Sequence, residues 1–216
     1  MRTAATLLVA ALIGTDLIIY KGPPELRASA TRAASTHAAS TRAASTRASS
    51  AARTGLRATA STALMKLSDL GALPDFVGAS GWLNSPPIAR TDLKGKVVVV
   101  DVWTFACSNC QAALPFVKGL YEKYGASGVV VIGVHTPELT IEYDRANVER
   151  AVVKLGVAYP VVLDNDYKIW NALGNRYWPS IYIVDKAGRI RYHFDGEGDY
   201  GKQDQVVQQL LAEKAG

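Results

Sequence analysis

The sequence predicts an α/β domain built on a central mixed β-sheet with helices on both faces. Three observations carry this. Residues 97–102, broken only by Asp101, and residues 129–134 are apolar runs rich in Val and Ile, the character of strands buried on both sides. Apolar residues recur at helical spacing after each of them. Near the C-terminal end, residues 180–184 and 189–194 flank Asp185-Lys186-Ala187-Gly188, a hairpin signal.

In chain order, Met1-Arg2 precedes the apolar residues 7–13 and 17–20 and ends at Lys21. A positive start and an apolar run of about 18 residues reads as a signal peptide or signal anchor over residues 1–22. Asp16 would be costly against lipid, and Ala28-Ser29-Ala30 offers a small-x-small cleavage site. Residues 23–63 are low complexity, with Ala-Ala-Ser-Thr-Arg/His repeating every five residues. That period matches neither a heptad nor the helical 3.6. The unit has no large apolar side chain whose burial could offset the entropy of ordering it, so it reads as a flexible linker. The folded domain is predicted over residues 64–216.

Within that domain, residues 73–87 read as an irregular lead-in with edge-strand fragments. Asp92-Leu93-Lys94-Gly95 is a turn that launches strand 97–103. Ala113, Leu114, Val117, Leu120, Tyr121 and Tyr124 then mark a helix, and a second buried strand follows Gly128. Residues 142–155 form a helix stopped by Gly156. A short strand at 159–163 leads to a short helix at 166–173 capped by Asp164 or Asn165. The hairpin and a final helix at 203–214 complete the order β-α-β-α-β-α-β-β-α, a sheet covered on both faces.

The net charge of +5 divides unevenly. Residues 1–62 hold eight Lys/Arg and two Asp/Glu, and the rest hold sixteen and seventeen. The basicity belongs to the tail, so the folded part lacks the charge of a nucleic-acid binder. A basic tail suits an anionic membrane surface. Cys107 and Cys110 are the only two cysteines. That excludes a multi-bridge scaffold and a four-cysteine zinc site. The three histidines stand at no ligand spacing, so no metal or other cofactor is called for.

Cys107-Ser108-Asn109-Cys110 sits where the strand turns into the helix. There, free backbone N–H groups and the helix dipole favour a thiolate. Cys107 is therefore the attacking thiol. Cys110, one turn further in and more shielded, resolves the mixed disulfide. An inert local disulfide would constrain little chain.

The run Val-Asp-Val-Trp-Thr-Phe-Ala-Cys-Ser-Asn-Cys resembles the thioredoxin-superfamily active site. The surrounding text is most similar to its TlpA/DipZ-like, extracytoplasmic branch. Shared segments include Gly81-Trp82-Leu83-Asn84-Ser85, Gly133-Val134-His135-Thr136-Pro137-Glu138, Tyr159-Pro160-Val161 and Arg176-Tyr177-Trp178-Pro179. The resemblance covers about residues 73–214 and implies a thioredoxin fold with an N-terminal lead-in and a central αβ insertion.

By position it makes Asp101 a buried acid that takes the proton of Cys110. It makes Pro115 the helix-kinking proline and Pro179 the cis-proline opposite the thiols. Trp103, Ser108, Asn109, Trp178 and Pro179 become substrate-facing residues. Glu138 matches the acid of the insertion, or is a loop charge. The implied function is an extracytoplasmic thiol–disulfide oxidoreductase acting on protein disulfides. The implied partners are a separate membrane electron donor of the CcdA/DsbD type and, through the N-terminal segment, the membrane.

Two departures leave the direction of electron flow open. Ser-Asn replaces Gly-Pro between the cysteines, and Ala106 stands where many thioredoxins place Trp. A thiol peroxidase is the alternative: Thr104 has the spacing from Cys107 that such enzymes use, but Val100 occupies their proline position. A non-enzymatic module on a stalk is a third reading.

Overall fold

The computed structural model describes residues 64–214. The sequence-predicted signal or anchor segment and the linker lie outside these residues. No helix among the described residues is long and apolar enough to cross a membrane.

The sheet is organised around β2 (Val97–Trp103), every residue of which is buried. It pairs in parallel with β3 (Val129–His135) and antiparallel with β5 (Ser180–Val184). β4 (Val161–Leu163) extends β3 in parallel, and β1 (Gly81–Leu83) closes that edge antiparallel. β6 (Ile190–Asp195) closes the other edge, giving the order β1-β4-β3-β2-β5-β6. This is the mixed sheet expected from the sequence.

Parallel neighbours need crossover helices. α1 (Ser108–Tyr124) and α2 (Arg145–Leu155) supply them. Leu114, Val117 and Leu120 of α1 and Val148 and Val152 of α2 pack in one apolar layer with Val97, Val99 and Trp103. α4 (Tyr200–Ala212) adds Val206, Val207 and Leu210 to that layer. On the opposite face Val98, Val100 and Val102 meet Ile169 and Trp170 of α3 (Lys168–Leu173) and Leu73 and Phe76 of the lead-in. Side chains alternate across a strand, so the odd-numbered residues of β2 face the α1 layer. Asp101 is one of them.

Several boundaries differ from the sequence expectation, for local reasons. α2 starts at Arg145 rather than 142 because the Asp144 carboxylate caps it, accepting from Ala146 N at 2.7 Å. Residues Thr140–Glu142 form a 3₁₀ turn instead. β4 begins only at Val161, since Pro160 has no N–H for the ladder. α3 begins at Lys168, and Asp164 still caps it from four residues upstream, accepting from Ile169 N and Trp170 N. α4 begins at Tyr200, three residues early, with the Asp199 carbonyl accepting from Lys202 and Gln203.

Gly133 of β3 stands in register with Asp101. A Cβ there would lie 2.8 Å from Trp103 Nε1 and 3.1 Å from Tyr159 Cε2. The missing side chain is the space that these two rings fill, and neither is free to move in a close-packed layer. Gly133→Ala is expected to destabilise the fold by about 1–3 kcal/mol. The measurement is urea unfolding, where the midpoint should fall at unchanged slope.

Candidate active site

Cys107 is the N-cap of α1 and has extended backbone angles. Its Sγ accepts the Cys110 N–H at 3.2 Å. This N–H is one of the donors that a helix start leaves without a backbone partner. Both thiols are free. Cys107 is half-buried, and Cys110 is 1% exposed in the apolar layer of α1. Burial pushes the Cys110 thiol far above its ordinary value. Its hydrogen bond with Cys107, the Cys107 charge and the Asp101 charge push the same way.

Asp101 is 2% exposed. Its Oδ2 accepts from the Tyr159 hydroxyl at 3.4 Å, and its Oδ1 has no partner among the described residues. Burial lifts its carboxyl to about 7, against which the Tyr159 hydrogen bond pulls down. The sequence-predicted acid is therefore buried and poised near neutrality.

The Trp178–Pro179 bond is cis. Pro179 is buried, and Trp178 is half-buried with its ring against Trp170 at a centroid distance of 4.2 Å. Trp178 Nε1 donates to the Thr136 carbonyl at 3.0 Å. Ser108 and Asn109 are exposed beside the thiols. Pro115 lies inside α1.

Two sequence expectations need correcting. Trp103 is fully buried and cannot face a substrate. As the last residue of β2 it points into the α1 layer and packs edge-on against His135. Glu138 is exposed and contributes only its backbone N–H. The acid of the insertion that enters the site is Glu142, completely buried. Its Oε1 accepts from Ala106 N at 2.8 Å, and its Oε2 from Glu138 N and Leu139 N at 2.8 Å each. One carboxylate thus ties the loop that carries Cys107 to the insertion after β3. Burial pushes the Glu142 carboxyl up, but hydrogen bonds from Thr104, Leu139, Ala106 and Glu138 outweigh it and hold the group below its ordinary value.

Beside it Thr104 Oγ1 lies 3.3 Å from His135 Nε2. The imidazole is enclosed between Trp103 and a stacked Phe105. Burial lowers it to about 4, against the pull of the Glu142 charge, so it is neutral at physiological pH. Neither Glu142 nor His135 stood out in the sequence. Glu142 sits in a 3₁₀ turn without periodicity, and His135 ends a run of strand residues. Tyr159 was visible only as part of a Tyr-Pro-Val segment.

The redoxin family matches residues 71–211. The chain belongs to the redoxin family. This redoxin is 44% identical over 163 residues to Protein DipZ of Mycobacterium tuberculosis, a match covering 74% of the chain and 24% of DipZ. It therefore spans about a quarter of that relative. It is 29% identical over 143 residues to the thiol-disulfide oxidoreductase YkuV of Bacillus subtilis, covering 65% of this chain and 95% of YkuV. Among solved structures, a thioredoxin-like protein in the oxidized form superposes with a TM-score of 0.61 at 28% identity, covering 69% of this chain and 99% of the other. The thioredoxin-like protein SPOA0173 superposes at 0.63 with 23% identity, covering 67% and 99%, a likeness of fold. The fold of the redoxin is thioredoxin-like, as the residues around Cys107 imply.

Asp101 and His135 give stability opposite pH dependences. Between about 6.5 and 4 the unfolded chain protonates the histidine while the folded one does not, so stability falls as pH falls. Between 3.8 and about 7 the folded chain holds a proton on Asp101 that the unfolded one has lost, so stability rises as pH falls. Each slope is about 1.4 kcal/mol per pH unit, and over the shared window they cancel. Asp101→Asn removes one of the two. Relative to wild type, this variant should lose about 3 kcal/mol between pH 6.5 and 4, read from denaturant midpoints at each pH.

Glu142→Ala leaves the part-buried N–H groups of Ala106, Glu138 and Leu139 without their acceptor. It should cost about 2–4 kcal/mol and expose residues 104–106 and 138–142 to faster amide hydrogen exchange, with the protection of β5 and β6 unchanged.

Proposed function

We propose that this redoxin is a thiol–disulfide oxidoreductase that exchanges disulfides with protein substrates through Cys107 and Cys110. The observation that carries this is the asymmetry of the pair. One thiol is accessible at a helix N-terminus and receives an N–H, and the other lies buried one turn behind it beside a buried acid.

In the reaction, the Cys107 thiolate attacks one sulfur of a substrate disulfide and expels the other as a thiolate. A mixed disulfide results. Cys110 then attacks Cys107 Sγ, its proton passes to Asp101, and the second substrate sulfur leaves. The substrate disulfide is reduced and the Cys107–Cys110 disulfide is formed, two electrons in all. A desolvated Cys110 does not ionise unaided, so a nearby base that accepts its proton during the attack lowers the barrier. Exposed Ser108 and Asn109 and the half-buried Trp178 form the surface offered to the substrate chain, with Pro179 buried behind it.

Protein DipZ and YkuV support this reading, as does the match to the redoxin family. A site outside the cytoplasm and a membrane electron donor of the CcdA/DsbD type rest on the apolar N-terminal run and on the similarity to a quarter of DipZ. The peroxidase alternative needs the Thr104 hydroxyl at the peroxide. That hydroxyl is fully buried and engaged with His135 and Glu142, which weighs against it.

Cys107→Ser should reduce insulin disulfides no faster than buffer. Cys110→Ser should accumulate mixed disulfides, seen as protein–protein adducts on non-reducing gels and by mass. Wild-type turnover in Cys107→Ser would overturn the reading. The direction of electron flow is read from the potential of the pair: roughly −270 mV marks a reductant and roughly −120 mV an oxidant.

A further inference from the structure

We infer that the Tyr159 hydroxyl is the positioning group for the proton relay, holding the Asp101 carboxylate toward Cys110 and favouring its ionised form. This rests on the oxidoreductase reading of the same site.

The geometry comes from three elements that meet on the α1 face of the sheet. Asp101 points there from the middle of β2. Its register partner on β3 is Gly133, which has no side chain to offer it. Into the space above Gly133 comes the ring of Tyr159, which arrives from the segment before β4 and would collide with any Cβ at 133. Tyr159 is itself fully buried. Pro160, next to it, fixes the local backbone, and its carbonyl accepts the Gly133 N–H at 2.9 Å. The ring also packs against Tyr121 of α1, with centroids 6.0 Å apart. Its hydroxyl therefore has little freedom. The one acceptor it reaches is Asp101 Oδ2 at 3.4 Å.

That hydrogen bond is the only one the Asp101 side chain makes among the described residues, so the hydroxyl is its sole polar anchor. A hydrogen bond to the charged form of an acid favours ionisation. The groups facing Asp101 are few. Cys110 comes from α1, Tyr159 from the β4 side and Tyr200 from α4, with Glu197 beside Tyr200. None is cationic, so nothing else in the layer offsets the cost of burying the carboxylate. Burial drives the Tyr159 hydroxyl itself well above its ordinary value, and the Asp101 charge adds to this. It stays protonated and acts as a donor throughout the working pH range.

A core tyrosine kept only for its ring would tolerate Tyr159→Phe without a change in any titration. A positioning hydroxyl would not. The first measurement needs no substrate: the carboxyl C=O stretch of Asp101, assigned by its loss in Asp101→Asn, is titrated by infrared spectroscopy in the reduced protein. Tyr159→Phe should move its midpoint to higher pH, because the form that ionises has lost its donor.

The second measurement is stopped-flow reaction with Ellman's disulfide. Cys107 attack releases one thionitrobenzoate, and Cys110 attack on the resulting mixed disulfide releases the second as Asp101 takes the proton. In Tyr159→Phe the second release should slow by about threefold to tenfold at pH 6 and approach wild type at pH 9. The first release should be unchanged. A carboxyl midpoint and a second-release profile that superpose on wild type would overturn the inference. If wild-type protein fails to reduce insulin, the functional reading falls, and the infrared titration still decides whether Tyr159 governs Asp101.

Discussion

A carboxylate held in a sheet layer that excludes water shapes the whole site. β2 is buried on both faces, and six of its seven residues are apolar. The seventh, Asp101, faces the layer built by α1, α2 and α4, where an ion costs several kcal/mol without a partner. Among the described residues the fold does not supply a cation. It supplies a glycine opposite, a tyrosine hydroxyl at one oxygen and nothing at the other. The result is an acid near 7 rather than an ion pair. A neighbouring lysine or arginine would hold the group ionised and leave it a poor proton donor. A fully apolar shell would hold it protonated and leave it a poor acceptor.

The second constraint acts on the loop that presents Cys107. Residues 104–106 have no ladder to fix them, and a loose loop would blur the position of the N-cap sulfur. Glu142 removes that freedom by binding Ala106 N with one oxygen and the insertion backbone with the other. The αβ segment between β3 and β4 is thus tied to the thiol site through a single side chain. Asp164 does the same one layer away, capping α3 while accepting from Thr136 Oγ1 at 3.3 Å. Because Thr136 also offers its carbonyl to Trp178, the insertion reaches both the cysteine loop and the cis-proline segment.

The sheet and its helices were legible because they depend on periodicity, which a sequence displays directly. The valine runs give β2 and β3, and the spacing from Ala113 to Tyr124 gives α1. Cys107 and Cys110 were legible from their spacing, and Asp101 and the cis bond before Pro179 from the resemblance alone. Trp103 was misread because flanking the cysteines in sequence does not mean facing solvent: strand parity sends it inward. The resemblance pointed to Glu138, while the apolar spacing read Glu142 as the first residue of a helix, and no pattern announces the 3₁₀ turn it closes instead. Only the fold decides which of two acids four residues apart turns under the loop. Tyr159 was silent for another reason. Its role depends on the emptiness of Gly133, a contact between segments 26 residues apart in the chain.

An acid poised near neutrality serves both directions of exchange equally. In the proposed exchange it accepts the Cys110 proton when the disulfide closes and returns it when the disulfide reopens. On the same proposal, Asp101 and Tyr159 govern the rate of resolution and leave the direction of net electron flow unset. Direction depends on the relative stability of the dithiol and disulfide states, and hence on how well the α1 terminus holds a negative sulfur at Cys107. The groups disposed around that sulfur are the Cys110 N–H, which already bonds to it, and the exposed residues Ser108 and Asn109 in the first turn of the helix. Each N–H of that turn turned toward the sulfur stabilises the thiolate and so makes the pair more oxidising. The buried carboxylate of Glu142, held ionised one residue before Cys107, opposes this by repulsion. On this reading the balance between these two tunes the potential, at the boundary where a strand buried on both faces ends and an exposed helix terminus begins.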